Sequence, residues 1–148
     1  MTRQAVNESL DLIAAVPGYA RTAQCLRRTP LRLNPALSDR AQTSLWHVIT
    51  LGLEPFGGSG DAARVSLAGT LVHEHFHLRQ HPLEKTASFW LGLARRHPPM
   101  RRFEAPAYAA QRDFLRALAR SHPALEAAAL AEVAHVQAAF AFHYGTSL

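Results

Sequence analysis

The sequence predicts a mostly helical α+β fold, with a small sheet beside one long helix, built as a single domain over residues 1–148. Three observations lead to this prediction. Apolar residues recur at three- and four-residue spacing over residues 62–81, which indicates a helix. Residues 46–51, with the sequence WHVITL, are rich in side chains that favour strands. Hydrophobic residues make up 48% of the 148, which is enough for one packed core.

Local patterns assign the elements that precede the long helix. Residues 7–27 favour helix, with Asn7 as an N-cap and a break at Pro17. Residues 31–34 alternate between apolar and polar side chains and predict a short strand. Residues 39–45 fit either a helical turn or a strand. The expected order is therefore helix, strand and a segment of either type, before the best-predicted strand.

The long helix itself has recognisable ends. It follows a glycine-rich loop in which Ser59 and Asp61 are candidate N-caps. Pro82 opposes continuation beyond the preceding residue, because that residue disfavours the helical conformation. Residues 83–96 fit a second helix, and a proline-containing segment follows them.

Two further helices complete the prediction. Residues 102–120 fit a helix with one apolar side. From Pro123 an alanine-rich last helix runs to Gly145, because alanine has the highest helix propensity and glycine favours helix ends. The last helix is expected to turn one apolar face to the core, formed by Leu125, Ala129, Val133, Val136 and Phe140.

Residues 73–77 read His-Glu-His-Phe-His and satisfy the pattern H-E-x-x-H. On an α-helix, His73 and His77 lie one turn apart on the same face. Two imidazoles in this position can bind one metal ion at the distance of about 2.0–2.1 Å usual for zinc. Glu74 then lies beside the metal, where it can take a proton from a bound water as general base. The pattern predicts two metal ligands and the base of a hydrolytic reaction.

The third ligand is predicted from the few carboxylates that follow the motif. A catalytic zinc site usually has three protein ligands and a water. Glu84 is too close to His77 to fold back without a very tight turn. Glu104 falls in the first turn of the helix predicted over residues 102–120, and a helix–loop–helix path returns the chain beside its start. We therefore predict that Glu104 completes the set and that the cofactor is Zn²⁺.

Residues 65–115 resemble the gluzincin branch of HExxH metallopeptidases, in which two histidines and a downstream glutamate hold zinc. In many of these families the glutamate opens an E-x-x-A motif, which here begins at Glu104, has its alanine at Ala107 and is followed by Tyr108. Asp is common at the position of Tyr108. Here the tyrosine either offers its phenol to a substrate oxyanion or, as we favour, packs beside the ligands. The resemblance implies a small, minigluzincin-like zincin domain, with its sheet beside the active-site helix and its zinc-binding glutamate on a second helix.

The resemblance also implies how a substrate binds. In HExxH enzymes the strand near the active-site helix runs along the cleft, and its free edge can pair with an extended peptide. Residues 46–51 are the expected strand, and residues 55–58 are expected to cover the cleft as a loop. The predicted substrate is a peptide or protein. Residues 144–148 are a second candidate occupant of the cleft, which would make the enzyme latent.

Several residues near the motif allow two interpretations each. His81 continues the helical row and either contacts the ligands or lies at the rim, and an alternative metal pair of His77 and His81 would leave the glutamate of the motif without a role. His75 points away from the ligands, towards the core or a supporting position. His47 either faces the cleft or, as we favour, is structural. Gly69 either leaves room for substrate or allows close helix packing.

Composition limits the remaining classes of function. The net charge of +5 comes from 16 basic and 11 acidic residues, and we interpret the arginine pairs as solvated surface rather than a nucleic-acid site. No apolar run approaches the ~20 residues that cross a bilayer, and the N-terminus lacks the layout of a signal peptide. We expect a cytoplasmic protein that does not bind membranes. Its one cysteine, Cys25, excludes an internal disulfide, and the oligomeric state is not predicted. The arginine pairs are at residues 27–28, 95–96 and 101–102.

The sequence thus predicts a zinc metallopeptidase with Glu74 as general base. One alternative uses the same three ligands in a non-catalytic zinc protein, for structure or for binding a partner. The other alternative is a histidine-rich helical binding module without metal. Metal content separates the last alternative from the first two, and hydrolysis of a peptide separates those two from each other.

Overall fold

The computed structural model describes residues 2–44, 46–56, 60–80, 101–145 and 148. Most of these residues are helical and three short strands form one sheet, so the prediction of a mostly helical α+β fold is confirmed. The elements in chain order are α1 (Thr2–Ala15), α2 (Ala20–Arg28), β1 (Leu31–Leu33), β2 (Ala41–Thr43), β3 (Ile49–Leu51), a 3-10 turn (Glu54–Phe56), α3 (Gly60–Leu78), α4 (Arg101–Ser121), a second 3-10 turn (Pro123–Leu125) and α5 (Glu126–Tyr144).

The first two helices pack against each other and cover one side of α3. The predicted break at Pro17 is confirmed: α1 ends at Ala15, and Gly18 takes a φ of 88° in the turn before α2. Such a positive φ favours glycine because it has no side chain to clash. The predicted N-cap at Asn7 is wrong. The helix begins at Thr2 because nothing between that residue and Asn7 interrupts it.

The sheet has the strand order β1-β3-β2, with β1 parallel and β2 antiparallel to β3. The strand predicted at residues 31–34 is confirmed, and residues 39–45 contain a strand rather than a helical turn. Residues 46–51 are strand only in their second half. Trp46 is 87% exposed, and His47 takes a φ of 55° in the turn before β3. Because β3 is the middle strand, the prediction that it offers a free edge is wrong.

A close backbone approach fixes the segment before β2 against the end of β3. The N–H of Gly52 donates a hydrogen bond of 2.9 Å to the carbonyl oxygen of Arg40. A Cβ atom at Gly52 would clash with the carbonyl oxygen of Asp39. Only glycine therefore allows the two segments to approach this closely.

Helix α3 lies between the other helices and the sheet, and supplies much of the core. It ends three residues before the predicted end of residues 62–81. The N–H groups of Arg79 and Gln80 donate to the carbonyl oxygens of Phe76 and His77, at 3.1 and 3.2 Å. These bonds span three residues, so a tighter turn terminates the helix. The fully buried apolar residues of α3 include Val65, Leu67, Ala68 and Leu71.

Helix α4 packs closely on α3, as the interpretation of Gly69 as a packing residue requires. A Cβ atom at Gly69 would lie 3.3 Å from Nε2 of Gln111 and 3.4 Å from Cδ2 of Leu115. The neighbouring side chains of α4 therefore fill the space that a substrate would need at this point. The helix predicted over residues 102–120 is confirmed, with one additional residue at each end.

Helix α5 covers α4 and α3. The predicted end at Gly145 is confirmed, with a φ of 67° and a hydrogen bond of 2.8 Å from its N–H to the carbonyl oxygen of Ala141. Among the described residues, Pro123–Tyr144 alone has the length and mean hydropathy, 1.2, of a membrane-crossing helix. Of its apolar window 28% is buried, and this share includes the predicted apolar face, which begins at Leu125 in the preceding 3-10 turn and continues along α5: Ala129, Val133, Val136 and Phe140.

Some predictions lie outside the described residues. These are the helix at residues 83–96, residues 57 and 58 of the loop predicted over the cleft, the candidate N-cap Ser59, the arginine pair at residues 95–96 and the position of His81. Residues 55 and 56 of that loop belong to the first 3-10 turn.

Candidate metal centre

Two helices bring three ligand atoms together at one end of α3. His73 and His77 lie one turn apart on α3, and the first turn of α4 brings Glu104 to them. The Nε2 atoms of His73 and His77 are 3.0 Å apart. Oε2 of Glu104 is 3.2 Å from the first of these atoms and 3.3 Å from the second. The structure therefore brings together all three residues that the sequence predicted as ligands.

The dimensions of this triangle fit a zinc ion. Four ligands placed tetrahedrally at about 2.0–2.1 Å from zinc lie about 3.3 Å from one another. The three distances between the ligand atoms are 3.0, 3.2 and 3.3 Å. Two imidazoles and one carboxylate are a common ligand set of catalytic zinc sites, which keep one position open. The donor atoms thus match zinc in type, number and spacing.

Gln80 orients one of the histidine ligands, and the sequence analysis missed it. Its side-chain N–H donates a hydrogen bond of 2.7 Å to the carbonyl oxygen of Phe103, so its amide oxygen faces Nδ1 of His77, also at 2.7 Å. An amide oxygen can only accept, so Nδ1 of His77 carries the proton. The lone pair of His77 is then on Nε2, the atom in the triangle, as metal binding requires.

The second ring nitrogen is hydrogen-bonded in His77 but not, among the described residues, in His73. Nδ1 of His73 is buried and has no hydrogen-bond partner among the described residues. The ring of His73 is instead held by packing: the edge-to-face contact with Tyr108 has a centroid distance of 4.8 Å and an interplanar angle of 87°. Tyr108 also contacts the ring of Phe140 at 5.3 Å. These contacts agree with the favoured interpretation of Tyr108 as a packing residue beside the ligands.

Glu74 lies next to the triangle without belonging to it. Its carboxylate is buried, 5% exposed, and lines the same cavity as the three ligand residues. The hydroxyl of Thr43, on β2, donates a hydrogen bond of 2.6 Å to Oε2 of Glu74. This bond holds one carboxylate oxygen and leaves the other available to a water molecule. Thr43 was missed in the sequence, because nothing local links it to a residue 31 positions later.

The electrostatics of the site favour a charged Glu104. Burial by itself would raise the pKa of this carboxyl, but when His73 and His77 are protonated, without a metal, their hydrogen bonds and charges outweigh burial and hold the pKa well below its usual range. The side chains of His73, His77 and Glu104 are only 12%, 3% and 17% exposed. Glu104 is therefore an anionic, largely buried carboxylate that faces two imidazoles.

Two tyrosines line the site from α4 and α5. Burial raises the pKa of Tyr108, and the charge of Glu104 raises it further. Burial and the same carboxylate also raise the pKa of Tyr144, which stacks on Phe140 at 4.9 Å. Both phenols therefore keep their protons and remain hydrogen-bond donors at neutral pH. The sequence analysis considered Tyr144 only as part of a tail that could fill the cleft; it lines the cavity as the last residue of α5.

The site opens into a cavity of about 860 Å³ between β2, α3, α4 and α5. Arg40 anchors the β2 side: its guanidinium pairs with Glu54 and Glu132, the latter at 2.7 Å, and contacts the hydroxyl of Ser66. The edge of β2 that faces away from β3, with which no other described strand pairs, lines the cavity. His135 and His143 also line it, although the sequence offered no pattern that distinguished them.

Two other histidines lie away from this cavity. His47 is exposed in the turn before β3 and does not line the cavity, so the structural interpretation applies. His75 is partly buried on another side of α3. Burial lowers its pKa, and the charge of Arg79 lowers it further. A lowered pKa favours the neutral imidazole, in agreement with a packing position.

No family model matches this chain, and neither the curated proteins nor the solved structures contain a detectable relative. The resemblance to gluzincins therefore remains a prediction from the motif, and the case for a function depends on the geometry of the site.

Proposed function

We propose that this protein is a zinc-dependent peptidase in which His73, His77 and Glu104 hold the metal and Glu74 is the general base. The observation that carries the proposal is the triangle of candidate ligand atoms, with sides of 3.0, 3.2 and 3.3 Å, beside a second carboxylate, that of the buried Glu74. Zinc in such a site lowers the pKa of a bound water and polarises a carbonyl group.

Glu74 would move the protons of the reaction. One of its oxygens is held by the Thr43 hydroxyl at 2.6 Å, which fixes the plane of the carboxylate. The free oxygen accepts a proton from the attacking water and then returns it to the leaving amine. Tyr108 and Tyr144 line the same cavity and keep their phenol protons, so either can donate a hydrogen bond to the oxyanion that develops on the substrate.

In this proposal an extended peptide pairs with the outer edge of β2, which no strand of the described residues occupies. Within the antiparallel pair, the N–H of Gly52 bonds to the carbonyl of Arg40, and the N–H of Ser44 bonds to the carbonyl of Val48. Alternate residues face the partner strand, so the backbone groups of Ala41 and Thr43 point away from β3. These groups are available to pair with the backbone of a peptide. The predicted substrate-binding edge is thus assigned to β2 in place of β3.

Metal analysis and a matched pair of variants test the proposal. The purified protein should bind about one zinc ion per chain, and His73→Ala should abolish binding. Glu74→Gln should keep the metal but reduce peptide hydrolysis by roughly 10²–10⁴-fold, the usual contribution of a general base. Glu126→Gln, an exposed change of the same type, should leave both properties intact.

Each outcome assigns a different class of protein. Metal binding without hydrolysis of casein or a peptide library would favour the non-catalytic zinc protein. Hydrolysis that survives Glu74→Gln, or that persists in a chelator, would reject the assigned base or the metal. Absence of metal binding would reject both zinc functions.

A further inference from the structure

A second cavity lies away from the metal centre, between α1, α2 and the sheet. Its volume is about 560 Å³, and it shares no lining residue with the cavity at the metal centre. Leucines form its floor: Leu10, Leu26 and Leu51 lie beneath it and are 3%, 0% and 2% exposed, and Leu33, which is 42% exposed, provides accessible apolar surface. The apolar side chains of Val6 and Leu31 contribute to its wall. A cavity of this size and lining is typical of sites for small apolar molecules.

Arginines surround the opening of this cavity. Arg3, Arg27 and Arg32 line it, and none of the described lining residues is acidic. Arg27 is neutralised by Asp11 at 2.5 Å. Among the described residues, Arg3 and Arg32 have no ion-pair partner. The cavity therefore combines an apolar floor with two uncompensated positive charges at its rim.

We propose that this cavity binds a single-chain amphiphile with a carboxylate head, such as a fatty acid. The chain would cover the leucine floor, and the head would lie between Arg3 and Arg32. Arginine suits this role because its guanidinium can hold both oxygens of a carboxylate. This proposal is independent of the proposed peptidase activity, because it uses other residues in another cavity.

A peptide is a poorer occupant of the same region. The N–H of Asn34 bonds to the carbonyl of Leu51, and the N–H of Ile49 bonds to the carbonyl of Pro30. Because the residues of a parallel strand alternate, the backbone groups of Leu31 and Leu33 are the ones that point away from β3. A peptide paired along Leu31 and Leu33 would leave the apolar cavity beside them empty, whereas an alkyl chain would fill it.

Calorimetric titration of the full-length protein tests the proposal with a series of straight-chain carboxylates, each kept below its micelle concentration. Each methylene that enters the cavity should strengthen binding about fourfold. Octanoate, decanoate and dodecanoate should therefore differ by roughly 15-fold per step until the cavity is full. Acetate should not bind. Dodecyltrimethylammonium, which has a similar chain and the opposite charge, should bind roughly tenfold or more weakly than dodecanoate.

Charge variants separate this site from general surface binding. Arg32→Gln and Arg3→Gln should each weaken dodecanoate binding by roughly 3- to 10-fold. Arg21→Gln removes the same charge from an exposed position of α2 outside the cavity and should have no effect. Val6→Trp, which fills the cavity, should abolish binding while circular dichroism still shows a helical protein.

Three results would overturn the proposal. One is equal binding of dodecanoate and dodecyltrimethylammonium. Another is an equal effect of Arg32→Gln and Arg21→Gln. The third is binding of an acidic peptide that dodecanoate does not displace, which would assign the surface to a protein partner instead.

Discussion

The two walls of the metal-site cavity are held in different ways. On the helical wall, Gly69 lets α4 approach α3 until the side chain of Leu115 is 3.4 Å from where a Cβ atom would be. Side-chain packing and the bridge of Gln80 between the two helices fix this wall. On the sheet wall, β2 has three residues, and polar contacts of Arg40 anchor it.

This difference separates the candidate metal ligands, which the helical wall positions, from the candidate general base, which the sheet wall also positions. All three ligand residues are on the helical wall, where packing fixes their positions. Glu74 also belongs to α3, but its carboxylate is held by Thr43 from the sheet wall. Metal binding should therefore depend on the helical wall alone, whereas hydrolysis should depend on both walls. The following variants test this division, from the largest expected effect to the smallest.

Gln80→Ala should produce the largest effect, on metal affinity. It removes the acceptor that fixes the proton of His77 on Nδ1 and the bridge to Phe103. Loss of such a supporting group typically weakens metal binding by about 10–100-fold. Competition with a chromophoric chelator measures the change. Gln4→Ala, an exposed glutamine of α1, is the control, and an affinity unchanged in both variants would contradict the role of Gln80.

Gly69→Leu should destabilise the helical wall. A larger side chain would collide with Gln111 and Leu115, and overpacking of this kind costs about 2 kcal/mol in the free energy of unfolding. Urea denaturation measures the loss. Gly69→Ala is the matched control, because small shifts of flexible side chains admit one methyl group and alanine favours helix by about 1 kcal/mol. If leucine were tolerated as well as alanine, the close packing of α3 and α4 would be refuted.

Thr43→Val should reduce hydrolysis without reducing metal affinity. Valine has nearly the same shape but cannot donate the 2.6 Å hydrogen bond to Glu74. A net contribution of about 1 kcal/mol from such a bond corresponds to a roughly fivefold loss of kcat. Thr43→Ser keeps the hydroxyl and should restore the rate. A parallel loss of metal would show that the sheet wall also positions the ligands.

His75→Gln should have the smallest effect, on the pH dependence of stability in metal-free protein. Burial, and then the charge of Arg79, lowers the pKa of His75 in the folded state. Below about pH 6.5, the ordinary pKa of histidine, the unfolded chain therefore binds a proton at this side chain more readily than the folded chain does. The free energy of unfolding consequently decreases as the pH is lowered. The variant should lose less stability than the native protein between pH 7.5 and pH 5. His135→Gln, at an exposed position of α5, should follow the native protein.

Local patterns predicted the parts of the site that lie on one helix. The spacing of His73 and His77 is a property of the α-helix, so the sequence alone places both imidazoles on one face. Glu104 could be predicted because few carboxylates follow the motif and the last helices had clear boundaries. The apolar face of α5 could be predicted because the three- and four-residue spacing of its apolar residues is also a property of one helix.

The missed features depend on contacts between distant segments. Thr43 and Glu74 meet only because a three-residue strand packs on α3. The free edge was predicted on the wrong strand for a related reason: propensity identifies WHVITL as a strand but does not say which neighbours pair with it. His47 shortens this strand because it takes a positive φ, and the neighbouring residues in the sequence do not predict that conformation.

The amide of Gln80 has a consequence for how the proposed zinc ion would enter the site. It connects the ring of His77 to the residue immediately before Glu104, so a contact that uses no metal holds the two helices together at the site. Little chain entropy remains to be lost when zinc enters, unlike in small domains that fold only around their metal. We therefore expect the stripped protein to stay folded and to regain zinc in one rapid step, limited by diffusion and deprotonation rather than by refolding.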